Sequence, residues 1–200
     1  MKHSILAIVL LLLLKINSQA EISWTPHLST VFAEGTSVVS VYFSDTNKKY
    51  AVLLNTETNV EAAGGGAKIT YNRIKSAVFK IREPIKRVEF PIAPDLTAEY
   101  RKYALAYAPK EVSEFSNFEE ASSIYQINNW KSYRVSFSYG LYGQRIRHCI
   151  TFLTLESGQQ VILDLSSYEK EFPSALELSE HMIRTWHELE NATPGKSLVN

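Results

Sequence analysis

Three stretches in the last third of the chain alternate apolar and polar residues with a period of two. That period leaves few folds open. Tyr133, Val135, Phe137 and Tyr139 are separated by Arg134, Ser136 and Ser138. Neighbouring strand residues point to opposite sheet faces, so the spacing predicts a half-buried strand. Gly140-Leu141-Tyr142-Gly143 suits a four-residue hairpin loop. Pairing across it sets Phe137 opposite Ile146, Val135 opposite His148 and Tyr133 opposite Ile150. The other face then pairs Ser138 with Arg145, Ser136 with Arg147 and Arg134 with Cys149. A second turn, Glu156-Ser157-Gly158-Gln159, sets Phe152 opposite Leu163 and Ile150 opposite Leu165. Both hairpins collect their apolar residues on one face, an agreement that a one-residue slip would undo. The expectation is a three-stranded antiparallel meander.

The rest of the chain supplies partners for it. Ser37 to Phe43 and Tyr50 to Leu54 are apolar or β-branched runs separated by a turn at Asp45-Thr46-Asn47, and Lys68 to Ile74 and Ala77 to Ile81 follow, with Arg87 to Phe90 a weaker strand. Between Asp95 and Ala108 the period changes. Leu96, Tyr100, Tyr103 and Tyr107 share one helical face, Asp95 suits the N-cap, and Pro109 ends the helix. A longer helix is predicted from about Pro173 to Leu189, with Ala175, Leu176, Ser179, Met182, Ile183, Trp186 and Leu189 inward, and with Glu180 and Arg184 as an i, i+4 pair. The fold class is α+β: an antiparallel sheet packed with a mid-chain helix and a long C-terminal helix, or arranged as an α/β/α sandwich.

The first twenty residues stand apart from this pattern. Lys2 and His3 precede an unbroken apolar run from Ile5 to Leu14, and Ser18-Gln19-Ala20 offers small residues at the −3 and −1 positions before Glu21. That is the layout of a secretory signal peptide, and the run is shorter than the roughly 20 residues of a spanning helix. A retained N-terminal anchor is the rival reading. The expected organisation is a signal peptide over 1–20, one domain over 21–190 and a flexible tail over 191–200. The expected location is periplasmic or extracellular, with no transmembrane segment once the signal is cleaved. Removing Lys2 and Lys15 leaves 19 basic against 21 acidic residues, a balance of −2 that argues against nucleic acid as a partner. Cys149 is the only cysteine, so no intramolecular disulfide forms and the core must hold the fold. Asn191-Ala192-Thr193 is a glycosylation sequon, relevant in a eukaryotic secretory pathway.

Catalytic and cofactor motifs are not found. The chain has no Gly-x-Ser-x-Gly elbow, no His-Glu-x-x-His pair and no phosphate loop, and Gly64-Gly65-Gly66 reads as a hairpin turn. His181 and His187 are six apart and point to different sides of a helix, while Glu177 and His181 share a side but need a further ligand to hold zinc. His148 and Cys149 are adjacent and face opposite ways in a strand. No catalytic residue, metal site or cofactor is assigned on these grounds.

One constellation has binding chemistry. The pairing scheme sets Arg134, Ser136, Arg145, Arg147, Thr151 and Asp164 on the face opposite the apolar one, with Thr151 directly across from Asp164. Arg134, Arg145, Arg147 and Asp164 are the candidate ligand-binding residues, since guanidinium groups grip carboxylates or phosphates through paired bonds. The same pattern suits a hydrated outer face or a layer under a helix, and Leu153, Leu155 and Ile162 share it. Trp24, Trp130, Tyr125, Tyr142 and Tyr168 fall near turns or segment ends, where rings stack on sugars or peptides or serve in packing.

Ile127-Asn128-Asn129-Trp130, Tyr133 to Tyr139, Ile150 to Leu155, Val161 to Leu165 and Phe172 to Trp186, taken in order, resemble the Mog1/PsbP-like superfamily of exported accessory proteins. Thr185-Trp186 stands where that family ends its final helix near a Ser-Phe pair. The resemblance covers about the last third of the chain. It implies an antiparallel sheet between helices and a binding or accessory role. Three readings follow. The leading one is an exported, non-enzymatic binding or accessory module for an envelope or secreted protein partner. The others are a secreted hydrolase using Asp164, a histidine and Cys149, and a small-ligand or glycan-binding protein using Tyr and Trp.

Overall fold

The computed structural model describes residues 23–33, 36–44, 49–54, 57–63, 65–88, 97–122, 130–155 and 158–189, with backbone alone for 23–33, 36–40, 42–44, 49 and 188–189. The expected signal peptide and tail lie outside the described residues. So do Asp95 and Leu96 at the start of the first helix. The elements run β1 Ser23–Ala33, β2 Thr36–Ser44, β3 Lys49–Leu54, β4 Thr58–Ala62, β5 Gly66–Tyr71, β6 Val78–Arg82, α1 Thr97–Leu105, β7 Ser116–Ser122, β8 Lys131–Leu141, β9 Gln144–Thr154, β10 Gln160–Tyr168, α2 Phe172–Arg184 and β11 His187–Leu189. They build an α+β fold with two antiparallel sheets, ordered β1-β2-β3-β11 and β4-β5-β6-β10-β9-β8-β7. No helix among the described residues is long and apolar enough to cross a membrane.

The large sheet is buried on both faces over its central strands. On one face Tyr133, Val135, Phe137, Ile150, Phe152 and Ile162 pack under Tyr100 and Ala104 of α1. The Tyr100 ring lies 4.6 Å from Tyr133 and 5.5 Å from Phe152. On the other face Leu153, Val161, Leu163 and Leu165 meet Ala175, Met182 and Ile183 of α2. Val41, Tyr50, Val52 and Leu54 of the small sheet enter the same core. Each large apolar side chain closed off in this way contributes about 1.5–3 kcal/mol.

Turn length and burial on both faces explain where the pairing departs from expectation. The β8–β9 turn has two residues rather than four. Tyr142 and Gly143 have φ of 49° and 73°, the positive values a type I′ hairpin requires. Pairing therefore moves by two, setting Phe137 opposite His148, Val135 opposite Ile150 and Ser138 opposite Arg147. A shift of two leaves every side chain on its expected face. The β9–β10 pairing moves by one. Leu163 faces Thr151, Asp164 faces Ile150 and Leu165 faces Cys149. Leu163 and Leu165 therefore join the α2 side, and Asp164 crosses to the α1 side. The unbroken Val161-Ile162-Leu163 run tolerates either register, because it supplies apolar residues to both faces.

The C-terminal helix is shorter than the spacing predicts. It ends at Arg184, and His187–Leu189 is a strand paired with β3. Thr185 makes the change. Its backbone N–H and its hydroxyl both donate to the Met182 carbonyl, at 3.0 and 2.6 Å, and its Oγ1 accepts the Leu53 N–H at 2.9 Å. The residue that closes the helix thus also ties it to β3. Trp186 then packs edge-on to Trp130 at 5.8 Å.

Candidate functional site

Arg134 on β8 and Arg145 and Arg147 on β9 share the sheet face that α2 covers, as their alternation predicts. Each meets a carboxylate of this chain. Arg134 Nη1 lies 2.8 Å from Glu180 Oε1 on α2, and its Nε donates to Thr151 Oγ1 at 3.4 Å. Arg147 Nη2 lies 2.6 Å from Glu119 Oε2, while its Nη1 donates to the Asn117 carbonyl and to Ser138 Oγ at 3.3 Å. Arg145 Nε lies 3.5 Å from Glu169 Oε2, and its Nη2 donates to Ser116 Oγ. The Arg134, Arg147 and Arg145 side chains are 12%, 8% and 47% exposed, so the row runs from the interior under α2 out to solvent.

A cleft of about 540 Å³ opens at the outer end of this row, between β7 and the start of α2. Arg147 lies in it beside Phe118, Glu119, Glu169, Phe172 and Leu176. The Arg147 guanidinium sits 6.0 Å over the Phe172 ring. β7 is an edge strand, and its pairing with β8 shifts between Ser116 and Glu119. Inside that irregularity Asn117 has φ of 51°, a left-handed conformation that Asn adopts more readily than most residues. The bulge turns the Asn117 carbonyl onto Arg147. The three partner carboxylates and the bulge have no sequence signal of their own. Glu119 sits in a polar edge segment without alternation, and Glu180 reads from spacing as a partner for Arg184. That pair is 3.9 Å apart, and Glu180 is nearer Arg134.

Asp164 is not part of this face. It is buried on the α1 side, where its Oδ1 lies 2.8 Å from His148 Nε2 and its Oδ2 lies 3.5 Å from Arg82 Nη1. Burial by itself would raise the Asp164 carboxyl. The His148 hydrogen bond and ring, with Lys80 and Arg82, outweigh burial and hold it below its ordinary value. A carboxylate only accepts, so Nε2 carries a hydrogen, and Nδ1 shares a hydrogen bond with the Tyr139 hydroxyl at 3.4 Å. Burial, with a smaller contribution from Asp164, pushes the Tyr139 hydroxyl up to about 12. Cys149 lies on the opposite face, fully enclosed, and burial pushes its thiol up despite Arg134 nearby. Asp164 and His148 therefore meet, but Cys149 is separated from them by the sheet. The expected Thr151–Asp164 pairing does not occur.

The remaining candidates separate. Glu177 and His181 lie on α2 and His187 on β11, and no metal-holding group of three His, Cys, Asp or Glu exists among the described residues. Gly65 and Gly66 belong to the β4–β5 turn, closed by the Ala63 N–H donating to the Gly66 carbonyl at 2.9 Å; Gly64 lies outside the described residues. Trp130 is a core residue, whereas Tyr142 is 89% exposed at the hairpin tip and Tyr168 is 36% exposed. The side chains of Trp24 and Tyr125 lie outside the described residues.

No protein-family model matches the chain, and no curated protein matches it. Among solved structures it is similar to LpqN of Mycobacterium tuberculosis, a protein involved in cell envelope biogenesis. The TM-score is 0.45 and the identity 10%, over 82% of this chain and 92% of that one. It is also similar to cyanobacterial PsbP (CyanoP) from Synechocystis sp. PCC 6803, with a TM-score of 0.47 and 11% identity over 83% of this chain and 94% of that one. Neither likeness carries a residue or an activity across to this chain.

Proposed function

We propose that this chain is an exported, non-enzymatic binding module that serves an envelope or secreted protein partner through the outer end of its arginine face. One observation carries the reading. Arg147, 8% exposed, lies in a cleft of about 540 Å³, and the carboxylate that answers it, Glu119, is 76% exposed. A nearly enclosed guanidinium beside an open cleft suits an anionic group. Arg145 extends the same charge to the rim. Arg134 and Asp164 hold the sheet that presents them. The enclosure of His148, Asp164 and Cys149, on two different faces, favours binding over hydrolysis.

Photo-cross-linking in the native cell tests the contact. A photoreactive residue replacing Leu176, beside the cleft, is expected to capture one discrete partner. The same residue replacing Ile85, which is 59% exposed away from the cleft, is expected to capture none. Adducts at position 85 with none at 176 would remove the cleft from the reading. Export rests on the Lys2-His3, Ile5 to Leu14 and Ser18-Gln19-Ala20 pattern. N-terminal sequencing of the exported protein is expected to begin at Glu21, and a start at Met1 would turn the signal into an anchor.

A further inference from the structure

We infer that the β7–α2 cleft is a carboxylate receptor kept filled by Glu119 until a partner arrives, and that its ligand is an acidic side chain of a partner polypeptide flanked by apolar residues. The inference rests on the binding reading above and names the chemistry of that site.

Arg147 divides its donors. Nη1 is committed to the Asn117 carbonyl and Ser138 Oγ, both fixed by β7 and β8. Nη2 faces Glu119. The guanidinium is therefore held in place by groups that do not leave, while one of its edges points to a group that can. Glu119 is 76% exposed, so holding it on Arg147 competes with its hydration and costs side-chain freedom. An incoming carboxylate that also buries apolar flanks against Phe172 and Leu176 has the advantage over Glu119. The left-handed Asn117 and the bulge around it are built into the site, consistent with the tendency of bulges to occur where a side chain is being aimed.

The charge around the cleft selects the kind of anion. The Glu169 carboxylate, 42% exposed, also lines it, held by Arg145 and by the Ser138 hydroxyl at 2.8 Å. A phosphate, carrying about 1.5 to 2 negative charges, would meet that carboxylate. A single carboxylate carries about half that repulsion and needs only the one guanidinium edge that Glu119 occupies. The apolar walls favour a polypeptide, which brings side chains to cover them.

The test uses the full chain and fluorescence anisotropy with a labelled, C-terminally amidated peptide containing Phe-Glu-Leu, against the same peptide with Phe-Gln-Leu. The Glu peptide is expected to bind at least about tenfold more tightly than the Gln peptide, the size of a charge-assisted bond. Glu119→Ala is expected to tighten Glu-peptide binding about two- to fivefold, because it removes the internal competitor. The variant takes a carboxylate from a nearly enclosed arginine that keeps its bonds to the Asn117 carbonyl and Ser138 Oγ, so it is expected to stay folded with a lowered Tm, and binding is compared well below that Tm. Unchanged or weaker binding by Glu119→Ala overturns the inference, as does equal binding of the two peptides. Competition by inorganic phosphate as effective as that by unlabelled Glu peptide also overturns it, in favour of a general anion site. Cross-links at position 176 together with an inert Glu119→Ala would leave the function standing and remove the receptor. Cross-links elsewhere with a tightened Glu119→Ala would do the reverse.

Discussion

Asp164→Ala probes a carboxylate enclosed at the centre of the large sheet. Asp164 is 3% exposed in its side chain and has His148 Nε2 at 2.8 Å and Arg82 Nη1 at 3.5 Å. Arg82 is 29% exposed and can turn to water. His148 is 4% exposed and cannot, since Phe137 lies 5.1 Å from its ring and Tyr139 lies 5.9 Å away. The variant therefore strands a buried donor, and breaking a buried pair from one side costs about 3–5 kcal/mol. For a domain of this size that lowers Tm by roughly 6–20 °C. Urea unfolding followed by tryptophan fluorescence measures it, with Trp130 and Trp186 as core reporters. Replacing both partners with apolar residues, Asp164→Leu with His148→Phe, is expected to cost several kcal/mol less than the sum of the single variants. The pH dependence has a defined sign. The folded carboxyl sits below its ordinary value, so its contribution is complete above about pH 4 and is lost as the pH falls from there through the folded value. The wild type is expected to lose stability in that window and Asp164→Asn to lack that component. A single variant that loses less than about 1 kcal/mol, or a wild type whose stability is unchanged from pH 5 to 2, would refute the argument.

Gly66→Ala should be severe for a different reason. An added Cβ would sit 2.1 Å from the Ile81 carbonyl oxygen and 2.9 Å from Arg82 Cα, so β5 and β6 must separate; the expected loss is about 2–4 kcal/mol by chemical denaturation. Tyr142→Asn should stabilise by up to about 1 kcal/mol, because Asn takes the positive φ of 49° with less strain, and a lower Tm would contradict the turn assignment. The Cys149 thiol should resist alkylating and disulfide reagents in the native state and react once the chain unfolds, measured by mass shift against denaturant concentration.

Face assignments were more legible in the sequence than pairings. Alternation in Tyr133 to Tyr139 put Arg134 on one side and Phe137 on the other, and a two-residue error in turn length changed neither. The same reasoning failed at β10, because alternation presumes one wet face. Val161, Ile162 and Leu163 are all buried, so nothing in the run distinguishes one register from the next. An ionisable residue inside such a run reads as a surface residue, which is how Asp164 came to be expected beside Thr151. Edge strands were illegible for the opposite reason. β4 and β7 carry Asn59, Glu61, Glu119 and Glu120, polar side chains that guard open edges and erase the apolar period. The helix end at Arg184 is set by tertiary bonds from Thr185 to β3, which helical spacing does not contain. The candidate site was half legible. The arginines followed from pattern, whereas their partners Glu119, Glu169 and Glu180 come from three other segments that only the fold brings together.

β10 has a further consequence, for the order in which the chain acquires its structure. It joins β6 to β9, and its pairing with Arg82 and Val78 spans some eighty positions, whereas β4-β5-β6 and β7-β8-β9 are each built from near neighbours. The two halves can assemble as they leave the ribosome. Neither can close until residue 168 is free, and until then β6 and β9 both expose unpaired backbone. Such long-range closure is expected to make folding slow, on the order of milliseconds to seconds, and to give a partly synthesised chain two adhesive edges. A chaperone that shields those edges would therefore matter most to this protein just before β10 becomes available.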